Sequence, residues 1–174
     1  MTTIDYLEKQ YNHAFDMVKF GETKNTALIA FNGAIIVGMS KIASDNSNCV
    51  FLYWYLIFTI CMCAISIFIC FSSLVAKIKH TTNNIALHKS NNLLFYATIA
   101  QMNHEELIEK LKTHYNCESS NLNHEKDLAM QTIITSQIAC RKFSLFNIAI
   151  GFTFAGILTP LSLLIYKLFL NHDK

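Results

Sequence analysis

Seven polar side chains in this 174-residue chain have types suited to holding a nucleobase and a phosphate: Glu22, Lys24, Asn92, Asp127, Gln131, Arg141 and Lys142. The amides of Asn92 and Gln131 each offer donors and an acceptor, and arginine and lysine match phosphate oxygens. A second use competes for the same cations, because Lys24, Arg141 and Lys142 also suit anchoring to anionic lipid head groups. Beyond this set the sequence offers little for catalysis. It contains no glycine-rich phosphate loop, no His-Glu-x-x-His metal helix and no nucleophile elbow. His104, His114, Cys117 and His124 do not have the spacing of a recurring zinc site. The expectation is a protein that binds rather than catalyses, with no metal and no cofactor.

The stretch that must position most of these residues runs from Asn123 to Leu170. Between Asn123 and Lys142 charges are mixed with Leu128, Ile134 and Ile138, a spacing that puts these three on one helical face. From Phe143 to Tyr166 there are 24 consecutive residues without a charge, and about 20 suffice to cross a hydrocarbon core of roughly 30 Å. No glycine or proline interrupts the chain between Asn123 and Gly151. The stretch therefore reads as one rod joining a soluble module to a membrane span.

Composition agrees with a membrane protein. The apolar share is 52% and the charged share 15%, against roughly 25% charged in ordinary soluble domains. A net charge of +2 without a lysine or arginine run argues against a nucleic-acid partner. One proline and five glycines leave little for turn-rich β architecture. The six cysteines are irregularly spaced, three of them within one apolar run, and the chain opens on the polar MTTIDYLEKQ, so a secreted disulfide framework is not expected.

Two further spans precede the last. Thr26 to Ser40 is uncharged and flanked by Lys24 and Lys41, which can snorkel to the interfaces. Asn32-Gly33 lies in its middle, where an amide needs a partner, either a neighbouring helix or a polar path. Val50 to Ala76 is 27 residues without a charge, opening on Tyr53, Trp54 and Tyr55 and closed by Lys77 and Lys79. Lysine and arginine number three before the first span, one in the short loop, eight between the second and third spans and two after the third. That asymmetry puts the N-terminus and the long segment in the cytoplasm.

The remaining segments read as soluble helices and loops. Thr2 and Asp5 have capping-box spacing ahead of Ile4, Leu7, Tyr11, Phe15 and Val18. Thr81 to Asn92 reads as a polar loop, and residues 93 to 100 as too apolar for exposure. Asn103 caps a helix reaching about Tyr115, with Glu106 at its third position. The sequence thus predicts an all-α membrane protein with a cytoplasmic amphipathic helix (1–24) and three transmembrane helices (25–42, 50–76 and 143–168). A small cytoplasmic helical bundle (77–142) completes it, its last helix continuous with the third span. Gly151, Gly156 and Pro160 would let that span repack.

Three blocks resemble a known family. They are Glu22-Thr23-Lys24 followed by Phe31-Asn32-Gly33; Asn92-Leu93-Leu94-Phe95-Tyr96 with Ile99-Ala100 and Glu105-Glu106; and Asp127-Leu128 with Gln131, Ser136, Ile138-Ala139 and Lys142-Phe143. The chain is similar, over about residues 10 to 168, to the small membrane effectors of bacterial Pycsar anti-phage systems. The resemblance implies a cyclic pyrimidine mononucleotide, cyclic CMP or cyclic UMP, made by a cognate cyclase. It further implies impairment of the bacterial inner membrane and abortive infection. The rival readings are a constitutive ion channel or small transporter subunit, and a scaffold docking another protein to the membrane. Three spans can scarcely enclose an aqueous pore alone, so both active readings imply a homo-oligomer.

Overall fold

The computed structural model describes residues 2–45, 50–75, 92–116 and 122–172. The expected polar loop before residue 92, most of the loop between 116 and 122, and the tip of the short loop around 46–49 lie outside them. Five helices and no strand are present among the described residues: α1 (Thr3–Asp45), α2 (Val50–Leu74), α3 (Tyr96–Ile99), α4 (His104–Tyr115) and α5 (Leu122–His172). α1, α2 and α5 are long and apolar enough to cross a membrane. The chain divides into two compact units, Met1–Glu22 with Ala76–Phe143, and Thr23–Val75 with Ser144–Lys174.

In the first unit α1 opens on a reciprocal cap. The Thr2 amide donates to Asp5 Oδ2 at 2.8 Å and the Asp5 amide to Thr2 Oγ1 at 3.3 Å. Hydrogen bonding to the Thr2 backbone amide, and to a lesser degree to its side chain, holds the Asp5 carboxyl below its ordinary 3.8. A lowered native pKa contributes stability above 3.8 that is lost as pH falls through the native value. Asp5→Asn is therefore expected to lower the melting temperature at neutral pH, with the gap to the parent narrowing as pH drops below 3.8.

The core of this unit comprises Leu7, Leu93, Ile99, Leu107, Leu111, Ala129 and Ile133. Asn103 caps α4 by accepting from the His104 amide, and Asn116 ends it in the left-handed region at φ 49°. Gln137 Nε2 donates to the Ala100 carbonyl at 3.1 Å, fastening the turn after α3 to α5.

The buried faces differ from those the hydrophobic spacing predicts. On α1 the buried line is Thr3, Leu7, Gln10, Ala14 and Gly21, while Phe15 is exposed. On α5 it is Glu125, Ala129, Thr132, Ile133, Thr135, Ser136, Ala139 and Lys142, with Leu128, Ile134 and Ile138 only half-buried. Several of these positions, Ala14, Gly21, Ala129, Ser136 and Ala139, are small residues that let backbones approach. A Cβ on Gly21 would sit 3.3 Å from Lys142 Cβ. Residues 93 to 100 are also less enclosed than expected, since Leu94 and Phe95 are exposed while Leu93, Ala97 and Ile99 are buried.

The second unit contains α2 and the parts of α1 and α5 that fall within Thr23–Val75 and Ser144–Lys174. The buried seam of α2 is Leu56, Thr59, Cys63, Ser66, Cys70 and Ser73, alternating three- and four-residue steps as a heptad seam does. Its hydroxyls meet the other two helices. Asn25 Nδ2 donates to Ser73 Oγ at 3.1 Å, Asn32 Nδ2 to Ser66 Oγ at 2.9 Å, and Thr59 Oγ1 to the Gly156 carbonyl at 3.0 Å. Asn32 Oδ1 accepts from Thr153 Oγ1 at 3.1 Å, and Ser66 Oγ donates to the Ala149 carbonyl at 2.8 Å. Asn32 is fully buried, its amide taken up by both neighbouring helices. Among the described residues Cys61, Cys63, Cys70 and Cys140 are free thiols.

Candidate functional site

Setting Glu22 aside, the other six of the seven polar residues singled out for a ligand are distributed over both units. Lys24 belongs to the second, where its Nζ lies 5.5 Å from the centroid of the Phe146 ring. The other five belong to the first. Asn92 is exposed and uses its side chain locally, Oδ1 accepting from the Leu94 amide at 2.9 Å and so shaping the turn into α3. Asp127 and Gln131 are exposed one turn apart on α5. Arg141 is exposed on the same helix, and fourteen residues at 1.5 Å each put it about 21 Å along the axis from Asp127. One mononucleotide cannot touch both.

Lys142 is enclosed, with its stem against Gly21 and its Nζ 3.1 Å from Glu22 Oε1. An aromatic cluster lies beside it: Phe143 is 6.2 Å from Phe20 and 5.8 Å from Tyr96, and Tyr96 is 5.0 Å from Phe95. Burial, with a smaller contribution from Cys140, raises the Tyr96 phenol above its ordinary value. Burial also pushes the Cys140 thiol up to about 11. Both groups are neutral at pH 7, so this cluster adds aromatic surface rather than charge.

The residues used as packing and repacking candidates behave differently from one another. A Cβ on Gly33 or on Gly151 would meet nothing within 4 Å, whereas one on Gly156 would lie 2.8 Å from Met62 Cβ. Position 160, the single proline, falls within α5.

Two features escape the sequence reading. The first is an ion pair between Lys112 Nζ and Glu125 Oε2 at 3.1 Å, in which the glutamate is fully buried. Nothing in the spacing of Lys112 and Glu125, on different helices, announces it. The second is a cleft of about 250 Å³ lined by Tyr6, Lys9, Gln10, His13 and Leu94. Gln10 is almost wholly buried, and its Nε2 donates to the Leu93 carbonyl at 3.0 Å. Its Oε1 has no hydrogen-bond partner among the described residues. The recurrence of Tyr6, Lys9, Gln10 and His13 at three- and four-residue steps was the available signal, since it places all four on neighbouring positions of one helix.

A family model described as the Pycsar effector protein domain matches residues 6–169. A search of the curated proteins and of the solved structures found no match.

Proposed function

This chain belongs to the family of Pycsar effector proteins, a family of membrane effectors, and from that premise we propose that it is an anti-phage effector triggered by a cyclic pyrimidine mononucleotide. Cyclic CMP or cyclic UMP from a cognate cyclase would bind the cytoplasmic helices. The protein would then act as a homo-oligomer in the bacterial inner membrane, with its N-terminus in the cytoplasm, and impair that membrane so that infection aborts. The observation that carries the reading is the family match across nearly the whole chain.

The structure supports a triggered rather than a constitutive membrane activity. The polar groups that could have lined a path, Asn32, Ser66 and Thr153, are buried and hydrogen-bonded to one another. Satisfied polar groups between spans act as helix glue and leave no incentive for water to enter. In the proposed mechanism the ligand favours a second arrangement of the cytoplasmic part of α5, and the span beyond repacks with it.

The test is made in cells carrying the protein with either a pyrimidine or a purine mononucleotide cyclase, using a potential-sensitive dye. Depolarisation only with the pyrimidine cyclase is the expected result. Depolarisation without any cyclase would instead establish a constitutive channel, and persistence of the potential with both cyclases would contradict the effector reading.

A further inference from the structure

The cleft on α1 combines four features that suit one kind of ligand. Its interior surface is apolar, with exposed Leu94 at one side and half-buried Tyr6 at another. The Tyr6 ring is braced against Tyr115, with centroids 4.6 Å apart and planes 17° from parallel, so it presents a fixed aromatic edge. The Gln10 amide cannot reverse, because the Leu93 carbonyl it faces can only accept and therefore demands the amino end. The oxygen has almost no exposed surface and no partner among the described residues, so it is the end a donor would satisfy once the side chains over it shift. Lys9 and His13, one turn apart and exposed, flank the same cleft with two nitrogen-bearing side chains.

We propose that this cleft binds a singly phosphorylated nucleoside, with the base against Tyr6 and Leu94, an N–H of the base directed at Gln10 Oε1, and the phosphate held by Lys9 and His13. The proposal rests on the effector reading above and assigns it a site separate from the residues predicted to touch a ligand. Size supports a mononucleotide over a dinucleotide: the cleft holds about 250 Å³, against roughly 300–1,000 Å³ for drug-sized ligands. The phosphate contacts lie at the surface, where lysine and histidine side chains can close on an anion without a desolvation cost like that of a buried charge. Gln10 ties the site to the Leu93 turn, so occupancy of the cleft bears directly on how α1 is held to the segment leading into α3.

The experiment is titration calorimetry of the full chain in lipid nanodiscs with cyclic CMP, cyclic UMP, cyclic AMP and cyclic GMP in turn. The variants are Lys9→Glu, His13→Ala and Lys126→Glu, the last an exposed residue outside the cleft that makes the same charge change as the first. Circular dichroism confirms that each retains its helicity, which surface positions should allow. Binding by the parent with at least tenfold weaker affinity in Lys9→Glu and His13→Ala, and within twofold of the parent in Lys126→Glu, is the expected result. Parent-like affinity in both cleft variants would overturn the site while leaving the effector reading intact. An equal loss in Lys126→Glu and Lys9→Glu would reduce the effect to net charge and also overturn it. Failure of the parent to bind any of the four nucleotides would overturn the effector reading itself, and the cleft assignment with it.

Discussion

Gly156→Leu should lower the stability of the full chain by about 3 kcal/mol, a typical cost of forcing extra carbons into a packed interface, while Gly151→Leu should leave it nearly unchanged. The difference lies in what each side chain would meet. A Cβ at position 156 would be 2.8 Å from Met62 Cβ and 3.6 Å from the Thr59 carbonyl oxygen. Met62 Cβ is fixed to its backbone and cannot swing away, so α2 and α5 would have to separate. Separation would also stretch the bond from Thr59 Oγ1 to the Gly156 carbonyl, now 3.0 Å, where interhelical hydrogen bonds in membranes average about 0.6 kcal/mol. At Gly151, by contrast, nothing lies within 4 Å of the added carbon. Thermal unfolding in detergent, followed by helicity, should separate the two variants clearly, and equal losses would mean that the contact with Met62 does not hold α2 to α5.

Lys112→Ala should be the most damaging single change in the first unit, costing about 3 to 5 kcal/mol as expected when one partner of a buried ion pair is removed. Glu125 is fully buried and its Oε2 lies 3.1 Å from Lys112 Nζ, on a lysine that is itself partly exposed. Without the ammonium, the buried carboxylate loses the cation that offsets its desolvation. Removing both charges with Lys112→Met and Glu125→Leu should recover most of the loss, because a well-packed apolar pair replaces a buried ion pair at little cost. If Lys112→Ala unfolds at the parent temperature, Glu125 is solvated in solution and the account of this core is wrong.

The spans were legible in the sequence because runs such as Phe143 to Tyr166 carry no charge, and crossing hydrocarbon demands only length and apolarity. Which face of each span packs was not legible, for a physical reason. In lipid the greasiest side chains gain nothing by facing another helix, so Phe31, Phe68 and Phe154 are exposed while Thr59, Ser66, Ser73 and Thr153 form the seam. The heptad spacing of Thr59, Ser66 and Ser73 carried that information, and a search for apolar periodicity passes over it. In the first unit the α1 stripe lies on Gln10, tied to the Leu93 carbonyl, and on Ala14, while Tyr11 is half-buried and Phe15 exposed.

The candidate site was less legible still. Amide and basic residues near the spans were natural candidates, but Asn92 shapes its own turn and Lys142 meets Glu22. Lys9 and His13 belong to no motif that sets them apart from other exposed helix positions. Their interest comes from Leu94 and the Leu93 carbonyl, which arrive from a segment some eighty residues later in the chain, a juxtaposition that no local pattern encodes.

Dye release from liposomes containing only the purified protein tests the central claim most directly, because it isolates ligand, protein and bilayer from every other component. With cyclic CMP, cyclic UMP, cyclic AMP and cyclic GMP added in turn, release with one pyrimidine nucleotide and with neither purine nucleotide is the result predicted. Release that is the same with and without nucleotide would contradict it.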